Sequence, residues 1–398
     1  MKSGVETSAT PVPDGSPPLL TARFLTMCGF GFAVFLSAFQ LFPTVPFRIL
    51  DLGGSTFTAG LFLGCLTYAS ASSAPFTGTM ADRVGRRRTL IWCSLVIALL
   101  SFAYALAARP AVLLVLAVLH GVFWSGLLSA NAAYTTELVP AERRAEGIGY
   151  HGLASVLAIA VAPSLGLWIY RSGWMALCAS IGTLSLIMAA IAWHLPDDRA
   201  GRTVRRAAPR AGPPVEWHVT VAGLALFLAA FGYGGVTSFA AIYAEAAGIR
   251  PRGLYFTILA LSIVVSRPFA GRAADRLGTE RVLVPCLLLA AAGYGLLAWG
   301  KGLAAFAASA AATGVGFGSA YPVFAAFVLR YVEAARRGAA FGGILAALDT
   351  GIGSGSTLTG WLAGRYGFRT AFAVAALLAL GAAPYFLLVG RRVLARRS

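Results

Sequence analysis

Lysine is almost absent from this 398-residue chain, where Lys2 and Lys301 stand against thirty arginines. Neither lysine completes a Gly-x-x-x-x-Gly-Lys-Ser/Thr loop, so no P-loop for ATP can be written. Acidic residues number only 15 and charged types make up 12%, where soluble domains carry about 25%. Side-chain amides are reduced to Gln40 and Asn131. The five cysteines (Cys28, Cys65, Cys93, Cys178, Cys286) lie in apolar segments without a CxxC spacing, and read as small core hydrophobes rather than disulfides or metal ligands. No histidine is followed by glutamate, which removes the His-Glu-x-x-His zinc motif. So few charges cannot clothe a soluble protein of this length; soluble enzymes, disulfide scaffolds and disordered chains fit poorly.

Apolar residues, by contrast, reach 58%. They recur in runs of about 20, each long enough to cross a hydrocarbon core of about 30 Å. The pattern predicts twelve helices: Ala22–Phe47, Ser55–Thr77, Thr89–Ala107, Ala111–Ala133, Gly147–Tyr170 and Gly173–Leu195, then Trp217–Tyr243, Arg252–Ala270, Val282–Gly300, Leu303–Leu329, Ala339–Ala363 and Thr370–Val389. Spanning segments must satisfy their own backbone groups, and the alternating ten-residue segments of a membrane β-barrel are missing. The expected fold class is therefore an all-α polytopic membrane protein. It would comprise a polar tail at 1–20 without signal-peptide features, a six-helix bundle at 21–195, a basic linker at 196–216, a second six-helix bundle at 217–390 and a basic tail at 391–398.

The net charge of +17 is ordered along this layout. With the N-terminus assigned to the cytoplasm, alternate loops hold 23 Lys and Arg on the cytoplasmic side and 8 on the other, and Arg267 alone lies inside a helix. This bias predicts cytoplasmic termini and a cytoplasmic linker. It also accounts for the basic excess without nucleic acid. The Ala- and Arg-rich composition suggests a bacterial source and an inner-membrane location, with lipids as neighbours and a monomer as the simplest assembly.

One stretch occurs twice, 193 residues apart. Gly78-Thr-Met-Ala-Asp82-Arg83-Val-Gly85-Arg86-Arg87-Arg88 follows the second predicted helix, and Gly271-Arg-Ala-Ala-Asp275-Arg276-Leu-Gly278-Thr279-Glu280-Arg281 follows the eighth. The glycines allow a tight turn and close helix approach. Asp82 can accept hydrogen bonds from a helix N-terminus or pair with arginine, and the arginines can latch to carboxylates or anionic lipid. Over residues 20–390 the chain resembles the major facilitator superfamily, whose cytoplasmic loop this motif matches; the second copy departs at Thr279 and Glu280. The stretch from His120-Gly121 to Asn131, Glu137 and Pro140, and Ala162-Pro163-Ser-Leu-Gly166, resemble the proton-coupled drug-efflux branch, with a departure at Ala117, where that branch often has arginine. The resemblance implies two bundles rocking about a central site, with Asp82 bridging toward the start of helix 11 and the motif residues stabilising one state.

Ionisable groups at membrane depth are functional candidates by default. Asp349 falls roughly 15 Å into its helix and Arg267 roughly 9 Å. A carboxylate at such depth either pairs with a cation or takes up a proton, so Asp349 is a proton-coupling candidate or a structural partner. Arg267 can serve as a gate, a structural pair or a substrate contact. His120 can carry a proton, touch substrate or simply pack. Gln40, Asn131, Phe39, Trp124, Tyr233, Phe239, Phe317 and Tyr321 are candidate cavity residues, with simple packing as the alternative for each aromatic. Glu137 and Glu245 sit near helix ends as gate or interface residues. No cofactor or metal is expected. The leading expectation is a secondary active transporter exporting a small organic molecule (drug, sugar, metallophore or natural product) in exchange for protons. The alternatives are an importer or facilitator of an organic anion contacted by Arg267 and His120, an intramembrane enzyme and a transporter-like sensor.

Overall fold

A computed structural model describes residues 19–140, 143–196, 217–333 and 336–395. Most of the predicted tail (1–18), nearly all of the linker and the last three residues lie outside them.

Ten helices run in sequence: α1 (Ala22–Asp51), α2 (Thr56–Val84), α3 (Arg86–Leu106), α4 (Pro110–Leu138), α5 (Arg144–Tyr170), α6 (Trp174–His194), α7 (Trp217–Ala246), α8 (Leu254–Leu277), α9 (Thr279–Trp299) and α10 (Gly302–Arg330). The stretch Arg337–Tyr385 follows, and Gly367 (φ 84), whose backbone is not helical, divides it into two helices. We call its arms α11 (337–366) and α12 (368–385). They fold back on each other: Gly343 near the start of α11 and Gly390 just past α12 meet neighbouring positions of α7, Val219 and Ala222. Twelve spanning arms thus match the predicted number. Among the described residues ten stretches are long and apolar enough to cross a membrane. The serine, threonine and glycine content of α2 keeps it out of that set, and α11 with α12 counts once.

Local chemistry explains the helix ends. Thr21 and Ser55 accept hydrogen bonds from the backbone N–H of Phe24 (3.2 Å) and Thr58 (3.1 Å), capping α1 and α2. The repeated motif gives two equivalent turns: Gly85 (φ 112) joins α2 to α3, and Gly278 (φ 92) joins α8 to α9. Only glycine takes such angles freely. Inside the apolar helices, hydroxyls turn back to carbonyls four residues earlier, as at Thr67 (2.9 Å), Ser185 (2.8 Å) and Thr350 (2.6 Å). They thereby enter hydrocarbon already hydrogen-bonded.

Helices α1–α6 pack among themselves, and α7–α12 do likewise. We call the side of the Gly85 and Gly278 turns the motif side and the opposite end the far side. The groups meet where α2 faces α11, α5 faces α8 and α1 faces α7. Exposed Trp168 and Trp299 at one level, and Trp193 and Trp217 at the other, mark two aromatic girdles suited to membrane interfaces. This is a multi-pass membrane protein.

A Cβ at Gly355 would overlap the Phe231 carbonyl, whereas a Cβ at Gly78 meets nothing within 4 Å. Gly78 therefore makes no close helix approach, contrary to the sequence expectation. Gly355→Val should sharply lower folded yield and melting temperature in fluorescence-detected size exclusion. Gly78→Ala should match or slightly exceed the parent, by up to about 1 kcal/mol of helix propensity.

Candidate functional site

The seam between α2 and α11 is built from small residues. A Cβ on Gly60, Gly64, Gly353, Gly360 or Gly364 would run into Ser356, Thr357, Thr67 or Thr56 on the facing helix. Ser356 donates to the Gly60 carbonyl (2.8 Å), and the Tyr68 and Ser354 hydroxyls meet at 2.6 Å. Phe239 is fully buried beside this seam, near Gly60 and Gly360, with its ring 5.9 Å from Phe368. At the inner end of the seam, near mid-membrane, Ser70 donates to the Asp349 carboxylate across the two bundles (3.3 Å). Asp349 is half-buried and has no ion-pair partner among the described residues. A second seam joins α5 to α8, where Ser164 donates to the Gly253 carbonyl (3.2 Å) and meets the Thr257 hydroxyl (2.8 Å). The Arg252 guanidinium lies 5.4 Å from the Phe47 ring, and pairs with Glu245. These links run from mid-membrane to the far side.

A small enclosed cavity lies between the bundles, lined by Phe39, Ile159 and Pro163 on one side and Tyr233, Thr237, Phe256 and Leu259 on the other. Phe39 packs on Phe42 and Phe35, and the Phe35 ring meets Trp124 edge-on at 5.5 Å. Across the cavity Tyr233 stacks on Phe317 at 4.2 Å. Arg267 stands beside this wall, in the electrostatic reach of Tyr233 and Tyr321. Tyr321 in turn feels both Arg267 and Asp349. Helix α8 extends to Leu277, so Arg267 is ten residues, or about 15 Å, from the motif-side end, deeper than the sequence suggested. Its Nε is buried without a hydrogen-bond partner.

Other candidates lie elsewhere. Gln40 is buried with both ends of its amide engaged: Nε2 donates to the Leu36 carbonyl (3.0 Å) and Oε1 accepts from Ser180 (3.2 Å). His120 is buried against α3, with Nδ1 3.5 Å from the Tyr104 hydroxyl. Both positions are interior to the first bundle, and neither is among the residues lining the enclosed cavity between the bundles. Buried Asn131 meets His151 of α5 (3.2 Å) beside Gly31, which has no Cβ to obstruct the imidazole. His151 escaped sequence reasoning because nothing in α5 marks which face it occupies.

The two motif copies anchor their bundles at matching places with altered charge. Arg86 pairs with Glu137 at the end of α4. At the positions 193 residues further on, Thr279 accepts from Arg330 at the end of α10 (3.5 Å). Arg87 donates to the Ala192 (3.3 Å) and Trp193 carbonyls, closing the end of α6. Its counterpart Glu280 pairs with Arg391 (3.0 Å) beyond α12. The departures at Thr279 and Glu280 are thus substitutions that keep a polar tie. Asp275 and Arg276 are exposed, as are Arg83 and Gly271. The Asp82 side chain, expected to bridge toward helix 11, lies outside the described residues.

Two pseudo-repeated bundles around a central, mostly aromatic site define a membrane carrier. The family model for the Major Facilitator Superfamily matches residues 24–253 and again 222–398, and the chain belongs to that family. An uncharacterised MFS-type transporter of Pseudomonas aeruginosa is 28% identical, with 96% of each chain covered. One of Burkholderia pseudomallei is 26% identical over 90% of each. Among solved structures, a bacterial homologue of the human lysosomal transporter Spinster, inward-facing and unoccupied, superposes with a TM-score of 0.74 at 15% identity (96% of this chain, 99% of that one). The nucleoside transporter NupG gives 0.73 at 14% (94% and 99%). The human organic anion transporter MFSD10 gives 0.70 at 17% (93% and 100%). These likenesses show the fold.

If Gln40 is a packing residue, removing its partner acts on stability. Ser180→Ala should cost about 1 kcal/mol of stability while leaving the affinity for any transported compound unchanged, as measured by melting and by ligand titration.

Proposed function

We propose that this transporter exports a small organic molecule from the bacterial cytoplasm in exchange for protons, by rocking its bundles about the aromatic site, and that Asp349 is the proton carrier. The observation that carries this reading is the Ser70–Asp349 contact, which ties a lone carboxylate to the opposite bundle at the inner end of the seam. From the elements packed around it, α2 offers Ser70, α7 offers the apolar Phe227 and Ala230 beside Gly351, and α10 offers Tyr321, which Arg267 on α8 also reaches electrostatically. Protonation changes Asp349 from a pure acceptor to a donor as well. It also removes a charge from the seam. A seam that holds differently in the two protonation states is the two-state element that coupling requires.

The 23 to 8 bias in Lys and Arg supports cytoplasmic termini and linker in the inner membrane. With that orientation the linked far side faces outward. The resemblance of the His120–Pro140 and Ala162–Gly166 stretches to the drug-efflux branch supports the export direction. The Arg86–Glu137 and Arg391–Glu280 pairs brace the motif side of each bundle, so each moves as a unit. A monomer surrounded by lipid is sufficient for this cycle.

In proteoliposomes, with a compound identified by ligand stabilisation, an imposed pH gradient should accelerate flux by the parent several-fold. In Asp349→Asn the ratio of flux with and without the gradient should fall to one, whatever flux remains. An Asp349→Asn ratio equal to that of the parent would exclude Asp349 as the coupling group.

A further inference from the structure

Membrane interiors hold unpaired charges only where something repays their desolvation. Two such charges of opposite sign are set around this site. Arg267 has no carboxylate partner among the described residues, and its Nε is buried without an acceptor. Among the described residues, the Ser70 hydroxyl is the hydrogen-bond partner of the Asp349 carboxylate. They do not form a salt bridge with each other. Tyr321 lies within electrostatic reach of both.

The groups around each charge are of matching kind. The side of Arg267 carries the Tyr233 and Tyr321 phenols, which can donate toward an anion. Ser266, the residue before Arg267, accepts from Ser319 (3.2 Å), and Gly318 seats Ile263. These contacts fix α8 to α10 and hold the arginine in register. The Asp349 side is an acceptor served by a single neutral donor. Tyr233 also belongs to the aromatic wall of the enclosed cavity, where it stacks on Phe317 and Phe39 lines the same space.

We propose that the substrate is a zwitterion with an apolar, ring-sized body and with its cationic and anionic groups set apart across that body rather than on one carbon. The anionic group is held by Arg267 with the Tyr233 and Tyr321 hydroxyls, and the cationic group by Asp349. A monopolar anion would leave Asp349 without a cation, and a monopolar cation would leave Arg267 without an anion; a compact ion pair would reach only one of them. This assignment rests on the exchange reading above and explains it. The substrate's ammonium and the proton compete for one carboxylate. When Asp349 is protonated, binding forms the contact between carboxylate and ammonium and releases the displaced proton into the cavity water. Substrate and proton then occupy the carrier in turn, which is the requirement for antiport.

The test uses the full-length protein in detergent, without any gradient, and matched para-substituted benzenes. The zwitterions are para-(aminomethyl)benzoate and its aminopropyl homologue; para-methylbenzylamine and para-methylbenzoate are the monopolar controls. At least one zwitterion should bind about tenfold more tightly than either control. Arg267→Gln should reduce that zwitterion to the level of the amine, and Asp349→Asn to the level of the benzoate, with circular dichroism and melting confirming that both variants are folded. Calorimetry in two buffers of different ionisation enthalpy should show proton release on zwitterion binding by the parent, and none by Asp349→Asn. Binding of a control as tight as the zwitterions, no binding by either zwitterion at millimolar concentration, or unchanged zwitterion affinity in a folded Arg267→Gln would overturn the assignment. If Arg267→Gln cannot be purified folded, Arg267→Lys replaces it, with the same loss of zwitterion preference expected because the guanidinium fork is gone. Proton coupling through Asp349 is judged separately by its flux ratio, so either idea can fail alone.

Discussion

Helices α2 and α11 approach closely because glycine, serine and threonine replace bulk on both faces. Gly60, Gly64, Gly353 and Gly360 leave room for the facing chain, and hydroxyls fill the remaining space with hydrogen bonds. In a bilayer the hydrophobic effect does not drive helices together, so close packing and polar ties must do so. An interface of this kind is held by many weak contacts and few large side chains. It can open and close with little reorganisation within either bundle. The one charged group at its inner end, Asp349, is therefore placed to bias the whole seam.

The polar economy of the sequence takes its meaning from the same setting. Most of the charge sits in the loops, where it sets orientation and braces helix ends. The Arg87 contacts to the end of α6 and the Glu280–Arg391 pair occupy equivalent places in the two bundles, with different chemistry. Little polar chemistry remains inside the helices, and most of that is consumed by packing, as the fully engaged amide of Gln40 illustrates. Arg267, with its Nε unpartnered beside the aromatic wall, and Asp349, tied to Ser70 across the seam, are the intramembrane charges left over from that packing.

Fold and family were legible in the sequence because they follow from long-range, redundant signals: apolar run lengths, loop charge and a motif repeated at half-chain spacing. Site geometry was less so. The motif glycines illustrate the difference. Gly85 and Gly278 adopt the positive φ that their turns demand, whereas Gly78 lies in an open stretch of helix. His120 and Gln40 looked like cavity residues because polar groups are rare at that depth. Which way each faces depends on helix rotation, and apolar surroundings on all sides leave no periodic stripe from which to read it. For the same reason His151 gave no signal, although it partners Asn131. Arg267 and Asp349 were legible as costly charges; that they form no ion pair with each other was not, because it depends on how α8 and α11 are rotated.

The account stands on protonation of Asp349 changing how the α2–α11 seam holds. Spin labels at Phe57 and Arg365, near the far ends of α2 and α11, would report this directly by electron–electron distance measurement in nanodiscs across a pH series. The account predicts a pH-dependent shift between a short and a long population in the parent, and a distribution independent of pH in Asp349→Asn. The same pH-dependent shift persisting in Asp349→Asn would contradict it.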